Sequence, residues 1–563
     1  MATLKLRERR WLLGLIAFAL IVSLAALWVK PRLEGALRSR IESAVGRHGM
    51  VARIGQVHIG LWRFLRLEQF DLDLGHGAQL HADRIAATWP GRLRLAVRAA
   101  TLLGPAGVVV NAPATAWDIP RTHGDDLQLT LVEPQRGLSI RKLSDAAGSA
   151  WKVEAHALDV GHLFEVSRDH HPIVDGGVMD GRVDFRASTD ALRFHVDVGA
   201  KGARVAALAE NADDQPQLGE ATDVSMRFDG TWRRAQGALE IPEIQATLAG
   251  AALSGSIELL GLDTDPAIDL SLGVRDLDFG QLLGTSGLGV PESLGMAPGA
   301  RDLGAATIDL HVRGRLAEPA SLSVTQKVNF KPPKEMPPGI ARLRRDFTFG
   351  ADEGAGPHRP IVVSPGSPDF IALRDVPPLF VRTLLISEDA GFYGHRGIDL
   401  RELPTALLTN WSRGGAARGA STITQQLAKN LFLSREKQLG RKLQELAITF
   451  LLESALGKSR ILEIYLNIIE WGPDLRGLRP AARHYFDREP QALTPAQMAF
   501  LVSIIPGPIK YQVSFAHGTP GPGLRALIDG LLAKLRSVNA ISDEEYRQAV
   551  DDALIVAGGK PAG

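Results

Sequence analysis

Between about residues 50 and 330 the chain alternates apolar and polar side chains with a period of two. Phe70-Asp71-Leu72-Asp73-Leu74 and Leu192-Arg193-Phe194-His195-Val196-Asp197-Val198 do so, as do Ile268-Asp269-Leu270-Ser271-Leu272 and Ile308-Asp309-Leu310-His311-Val312-Arg313. This period places apolar side chains on one face of a sheet and polar ones on the other. Gly, Asp, Asn and Pro between the runs supply turn signals, so the region predicts mainly antiparallel sheet. The pattern changes beyond Lys331-Pro332-Pro333-Lys334 and Pro337-Pro338, where proline removes amide donors and restrains its predecessors. Helical spacing follows: Ile423 and Leu427 share one face, and Leu524, Ile528, Leu531 and Leu535 form a stripe.

A third pattern lies at the N-terminus. Trp11 to Val29 is 19 residues without a formal charge, enough to cross a bilayer core as a helix at about 1.5 Å per residue, with Trp11 and Trp28 near the ends. Lys5, Arg7, Arg9 and Arg10 favour a cytoplasmic start, although Lys30, Arg32, Arg38 and Arg40 weaken the asymmetry. A retained anchor is favoured over a cleaved signal peptide, for which Ser23 to Ala26 offer small residues, because the apolar run exceeds the usual signal core. A basic amphipathic segment spans about Arg32 to Arg47.

With 563 residues, 45% of them hydrophobic, the chain can fill several packed cores. A formal charge of +1 gives no overall reason to expect nucleic acid as a partner. The absence of cysteine excludes disulfides, thiolate metal sites and cysteine nucleophiles. His58, His76, His81 and His195 show no ligand spacing.

Candidate chemistry gathers in the helical region. In Glu388-Asp389-Ala390-Gly391-Phe392-Tyr393-Gly394-His395-Arg396-Gly397 either acid can serve as a base in a polar cleft, or the pair can be surface charge at a helix end. Ser421, Thr422, Gln425, Gln426, Lys429 and Asn430 offer hydroxyls, amides and an ammonium suited to sugar and phosphate oxygens, with helix capping by Ser421 or Thr422 as the alternative. Arg441 and Glu445 stand four apart on a predicted helix, beside Lys442, as cleft residues or as a plain surface ion pair.

In order, these blocks closely resemble the glycosyltransferase domain of family 51 peptidoglycan polymerases. The resemblance continues through Lys458-Ser459-Arg460-Ile461-Leu462-Glu463-Ile464-Tyr465-Leu466-Asn467 and ends at Ala481-Ala482-Arg483-His484-Tyr485-Phe486. Tyr465 to Pro473 is most similar to the monofunctional branch. What this implies is a mainly α-helical, lysozyme-like domain that polymerises an undecaprenyl-pyrophosphoryl disaccharide-peptide, lipid II, into β-1,4-linked glycan. By motif position Glu388 is the catalytic base and Glu445 the second acid, on the pyrophosphate side. Ser421, Thr422, Gln425, Gln426, Lys429, Asn430, Arg441 and Lys442 bind substrate. No cofactor is required for the covalent step, and a divalent cation such as Mg2+ or Mn2+ is compatible with it. The implied partners are lipid II, the growing lipid-linked glycan, the bacterial inner membrane and other cell-wall synthesis proteins.

The middle region, with Val51-Ala52-Arg53-Ile54-Gly55 and Gly250-Ala251-Ala252-Leu253-Ser254-Gly255-Ser256-Ile257, loosely resembles AsmA-like envelope proteins. The combined expectation is a multidomain α+β chain. It comprises a cytoplasmic N-terminus (1–10), a transmembrane helix (11–29), an elongated β-rich AsmA-like or spacer region (30–330), a linker (331–359), the glycosyltransferase domain (360–515) and a helical extension (516–563). The expected location is the bacterial inner membrane, single-pass, with the catalytic domain periplasmic.

Three positions depart from the family pattern. Gly391 stands where a basic residue is usual, Ala420 replaces a glycine, and Arg479 reverses a local charge. These leave a catalytically weakened envelope scaffold or lipid-handling protein as the alternative. Ser139-Ile140-Arg141-Lys142 and Ser434-Arg435-Glu436-Lys437 match the Ser-x-x-Lys spacing of penicillin-binding domains, but no Lys-Thr-Gly partner motif accompanies them.

Overall fold

A computed structural model describes residues 33–43, the strand-forming stretches of 51–205, and 220–350, 360–401, 421–433 and 441–556, apart from 263–264, 286–288, 317, 319–320, 400 and 516–517. The described chain divides into two units, one ending at Leu248 and the other running from Ala249 onward.

The first unit is antiparallel sheet. Val51–Gly60 pairs with Phe64–Gly75, which pairs with Ala78–Thr88, and that in turn with Leu93–Leu103. Farther on, Gly148–Asp159, Val178–Ala187, Ala191–Val205, Thr222–Arg233 and Ala238–Leu248 are paired in succession. The Phe70 and Leu192 alternations both fall inside strands. The basic amphipathic segment forms helix α1 (residues 33–43), whose Leu37 and Ile41 pack on Ile54, Val57 and Leu67. Its acids meet the outer strand's amides: Glu34 accepts from Ile59 N at 2.8 Å and Glu42 from Ile54 N at 3.2 Å. A free strand edge is thereby partly satisfied and covered.

The second unit begins with four more antiparallel strands, Ala251–Leu260, Ala267–Asp278, Ala305–Arg315 and Ser323–Lys331, with helix α2 (Phe279–Thr285) after the second. Phe279 and Phe330 pack against Phe450 with ring centroids 5.5 and 5.4 Å away. Ile340 and Leu343, within the Pro-rich connector, are fully buried in the same core. The remaining helices are α3 (Pro378–Glu388), α4 (Ile423–Phe432), α5 (Arg441–Ala455), α6 (Lys458–Ile468), α7 (Leu478–Phe486), α8 (Pro495–Ile504), α9 (Pro522–Ser537) and α10 (Asp543–Asp551). The Leu524, Ile528, Leu531 and Leu535 stripe of α9 is buried.

One part of the expected fold class is corrected. Among the described residues no helix is long and apolar enough to cross a membrane, a span that needs about 20 residues. The helices here are shorter, and the most apolar, α8, spends its apolar side chains on the protein core. The transmembrane helix expected at 11–29 lies outside the described residues. The single-pass inner-membrane location inferred from it is therefore not supported. This finding concerns helices alone.

Candidate active site

The site is assembled where the C-terminus of α3 meets the N-terminus of α4. Pro378 starts α3 at a position where its missing amide hydrogen costs nothing. The helix stops at Glu388 because Asp389 leaves helical geometry, at φ −163° and ψ 74°. On α4, Thr422 and Gln425 form a reciprocal capping box: Thr422 Oγ1 accepts from Gln425 N at 3.2 Å, and Gln425 Oε1 accepts from Thr422 N at 3.0 Å.

The adjacent acids have different surroundings. Asp389 is buried and fully engaged: its Oδ2 accepts from Ile423 N and its Oδ1 from His395 Nε2, both at 2.9 Å. His395 Nδ1 in turn accepts from Gly397 N at 3.1 Å, so the ring proton resides on Nε2. Thr422 Oγ1 closes the ring by donating to Gly397 O at 2.5 Å. Gly397 adopts φ +95°, and a Cβ there would lie 2.6 Å from Thr449 Cγ2, so glycine is required on both counts. This ring of hydrogen bonds ties the Asp389–Gly397 segment to the start of α4.

Glu388 has no cationic hydrogen-bond partner among the described residues. Its Oε2 accepts from Gln426 Nε2 at 2.9 Å and its Oε1 from Ser387 Oγ at 3.2 Å. Burial pushes its pKa above the ordinary glutamate range. The Gln426 and Ser387 hydrogen bonds oppose that, Asp389 reinforces it, and Lys429 opposes it more weakly. The Gln426 amide is held from behind by the buried Tyr465, whose Oη donates to Oε1 at 2.9 Å.

Glu445, on α5, is buried and paired with Lys442 Nζ at 2.5 Å; the same ammonium donates to Ser421 Oγ at 3.2 Å. Lys429 lies within electrostatic reach of both acids. Desolvation first holds its ammonium below the usual lysine range; Glu445 opposes that, Arg441 and Lys442 lower it further, and Glu388 opposes more weakly. Glu388, Glu445, Lys429, Arg441 and Lys442 thus form one electrostatic group. Thr422 and Gln425 direct polar atoms into the cap, and Asn430 Nδ2 donates to Gln426 O at 2.9 Å. Among the described residues no group of three or more His, Asp and Glu converges as a metal-ligand set.

Arg401 was not singled out by sequence. A Cβ at Gly391 would lie 2.4 Å from Asp399 Oδ2 and 2.5 Å from Arg401 Nη2, so the glycine leaves room for the Arg401–Asp399 pair, whose hydrogen bonds are 2.6 and 2.7 Å. Arg479 is likewise engaged, donating to Glu489 Oε2 at 3.0 Å and to the Phe370 carbonyl. Ala420 lies outside the described residues.

A base candidate at a helix end, a second acid held by an ammonium and several cations around one lysine form a site suited to proton transfer on an anionic substrate. Residues 361–519 match the family described as Transglycosylase, and this part of the chain is a transglycosylase-family domain. The relatives are more particular. The domain is 52% identical over 131 residues to a biosynthetic peptidoglycan transglycosylase of Nitrosomonas eutropha, covering 23% of this chain and 54% of the relative. It is 54% identical over 131 residues to that of Nitrosomonas europaea, with the same coverages. It is 42% identical over 159 residues to that of Mesorhizobium japonicum, covering 28% of this chain and 65% of the relative. The chain therefore spans between about half and two-thirds of these relatives' length. A solved penicillin-binding protein 1A from Haemophilus influenzae aligns with 35% of this chain and 20% of its own at 18% identity and a TM-score of 0.19, too low to carry an argument.

Proposed function

We propose that the transglycosylase domain polymerises lipid II, the undecaprenyl-pyrophosphoryl disaccharide-peptide, into β-1,4-linked glycan and releases undecaprenyl pyrophosphate. The observation that carries this reading is the difference between the acids. Asp389 is committed to structure and Glu445 to Lys442, whereas Glu388 has two neutral hydrogen-bond donors and a raised pKa. A carboxylate with raised basicity suits a general base working near neutral pH.

In the proposed step Glu388 accepts the proton of the acceptor sugar's 4-hydroxyl as that oxygen bonds to the donor's anomeric carbon. The bond from this carbon to the pyrophosphate oxygen breaks, its electron pair leaving with the undecaprenyl pyrophosphate. Attack opposite the leaving group inverts the α-linked donor to a β-linked product without a covalent glycosyl-enzyme. Lys429, Arg441 and Lys442 offset the charge that grows on the leaving group, while Glu445 holds Lys442 in place.

The test supplies the purified full chain with lipid II. Polymer formed together with undecaprenyl pyrophosphate supports the proposal. Binding without turnover identifies a scaffold, and cleavage of preformed glycan identifies a lytic enzyme.

A further inference from the structure

Tyr465 has no described charge partner, yet it is fully buried and its hydroxyl lies one amide away from Glu388. Its Oη donates to Gln426 Oε1 at 2.9 Å, and Gln426 Nε2 donates to Glu388 Oε2 at 2.9 Å. The three side chains come from three helices, α6, α4 and α3. Among the described residues Gln426 Oε1 is the hydroxyl's hydrogen-bond partner.

The chemistry of a primary amide gives this arrangement a direction. With Oε1 facing the tyrosine, the NH2 group must face Glu388, and an N–H donor favours the carboxylate over the carboxylic acid. Were the amide reversed, Oε1 would face Glu388 and accept from its protonated form. A buried phenol strongly disfavours ionisation, so Tyr465 remains a donor across the working pH range.

We propose that Tyr465 is a positioning residue for the base: by donating to Gln426 it fixes the amide in the orientation that keeps Glu388 a carboxylate ready to accept a proton. The inference rests on the assignment of Glu388 as the base. Tyr465 itself touches neither substrate nor reacting atom. The other charged groups set against Glu388 are Asp389 beside it and Lys429 on α4, and neither hydrogen-bonds to the tyrosine among the described residues.

The experiment measures kcat/KM for lipid II polymerisation against pH in the full chain, its Tyr465→Phe and Gln426→Leu variants, the double variant and Glu388→Gln. In Tyr465→Phe the amide is free to turn and stabilise the protonated acid. The acid limb of the profile is expected to move to higher pH by roughly half to one unit, with the alkaline plateau within a few-fold of the parent. Gln426→Leu should move it in the same direction at least as far, and adding Tyr465→Phe should move it no further, because the tyrosine acts through the amide. A merely structural tyrosine would lower the rate at every pH and leave the limb in place. That result, or additive shifts in the double variant, overturns the inference while Glu388→Gln is inactive. Substantial activity in Glu388→Gln instead overturns the assignment of the base. Unfolding curves for each variant separate loss of fold from loss of orientation.

Discussion

The two units bury their side chains in different ways. In the sheet unit the hydrophobic clusters among the described residues are small: Leu131 with Ala155 and Leu158, and Ile54 with Val57 and Leu67. Much of its apolar face, including Val153, Val183, Phe185 and Val196, is only half-buried. Backbone ladders and exposed ion pairs such as Arg94–Asp118, at 3.3 Å, supply its regular contacts. The second unit instead has one continuous core, from Ala249 to Val556, in which Asp389, His395, Glu445 and Asn467 are buried with specific partners. A close-packed interior can hold polar groups to fixed directions, and a catalytic constellation needs that. A half-covered sheet face does not provide it.

The comparison breaks most visibly at Phe450, where an aromatic cluster joins the strands of the second unit to α5. Phe450→Ala is expected to destabilise that unit by about 3–5 kcal/mol and to abolish turnover, measured by denaturant unfolding and lipid II polymerisation. A smaller loss is expected for Asp389→Asn. Ile423 N–H and His395 Nε2–H both donate to this side chain, whereas an asparagine keeps one acceptor oxygen, turns an NH2 donor toward the other N–H and carries no charge. The cost should be about 1–3 kcal/mol, with amide hydrogen exchange speeding up first at the start of α4. In the sheet unit, Val183→Ala should cost roughly 1 kcal/mol, since the side chain is only half-buried. Arg94→Ala should change stability by less than about 1 kcal/mol, an exposed pair being weak. If the two sheet substitutions prove as damaging as Phe450→Ala, the contrast between the units is wrong.

Local patterns made some of this architecture legible and left other parts hidden. Period-two runs such as Phe70 to Leu74 locate strands because the alternation is a property of neighbouring residues. The ordered blocks around Glu388, Gln426 and Glu445 pointed to the transglycosylase domain. Local chemistry does not separate Glu388 from Asp389, since both are acids at one helix end, and only the motif resemblance singles out Glu388. What distinguishes them is Ile423, whose amide reaches Asp389 across 34 positions. Nor could it choose between Ser421 and Thr422 as the cap, or show that Tyr465 reaches Gln426 from another helix. Gly391 read as a missing positive charge, whereas folding brings Arg401 beside it. Long-range partners set these details, and no local period encodes them.

The most direct measurement is the rate of undecaprenyl pyrophosphate release from lipid II by the full chain and by Glu388→Gln, with circular dichroism confirming equal folding. Turnover is expected in the parent chain and a loss of at least about 100-fold in the variant. Equal rates in the two proteins would contradict it.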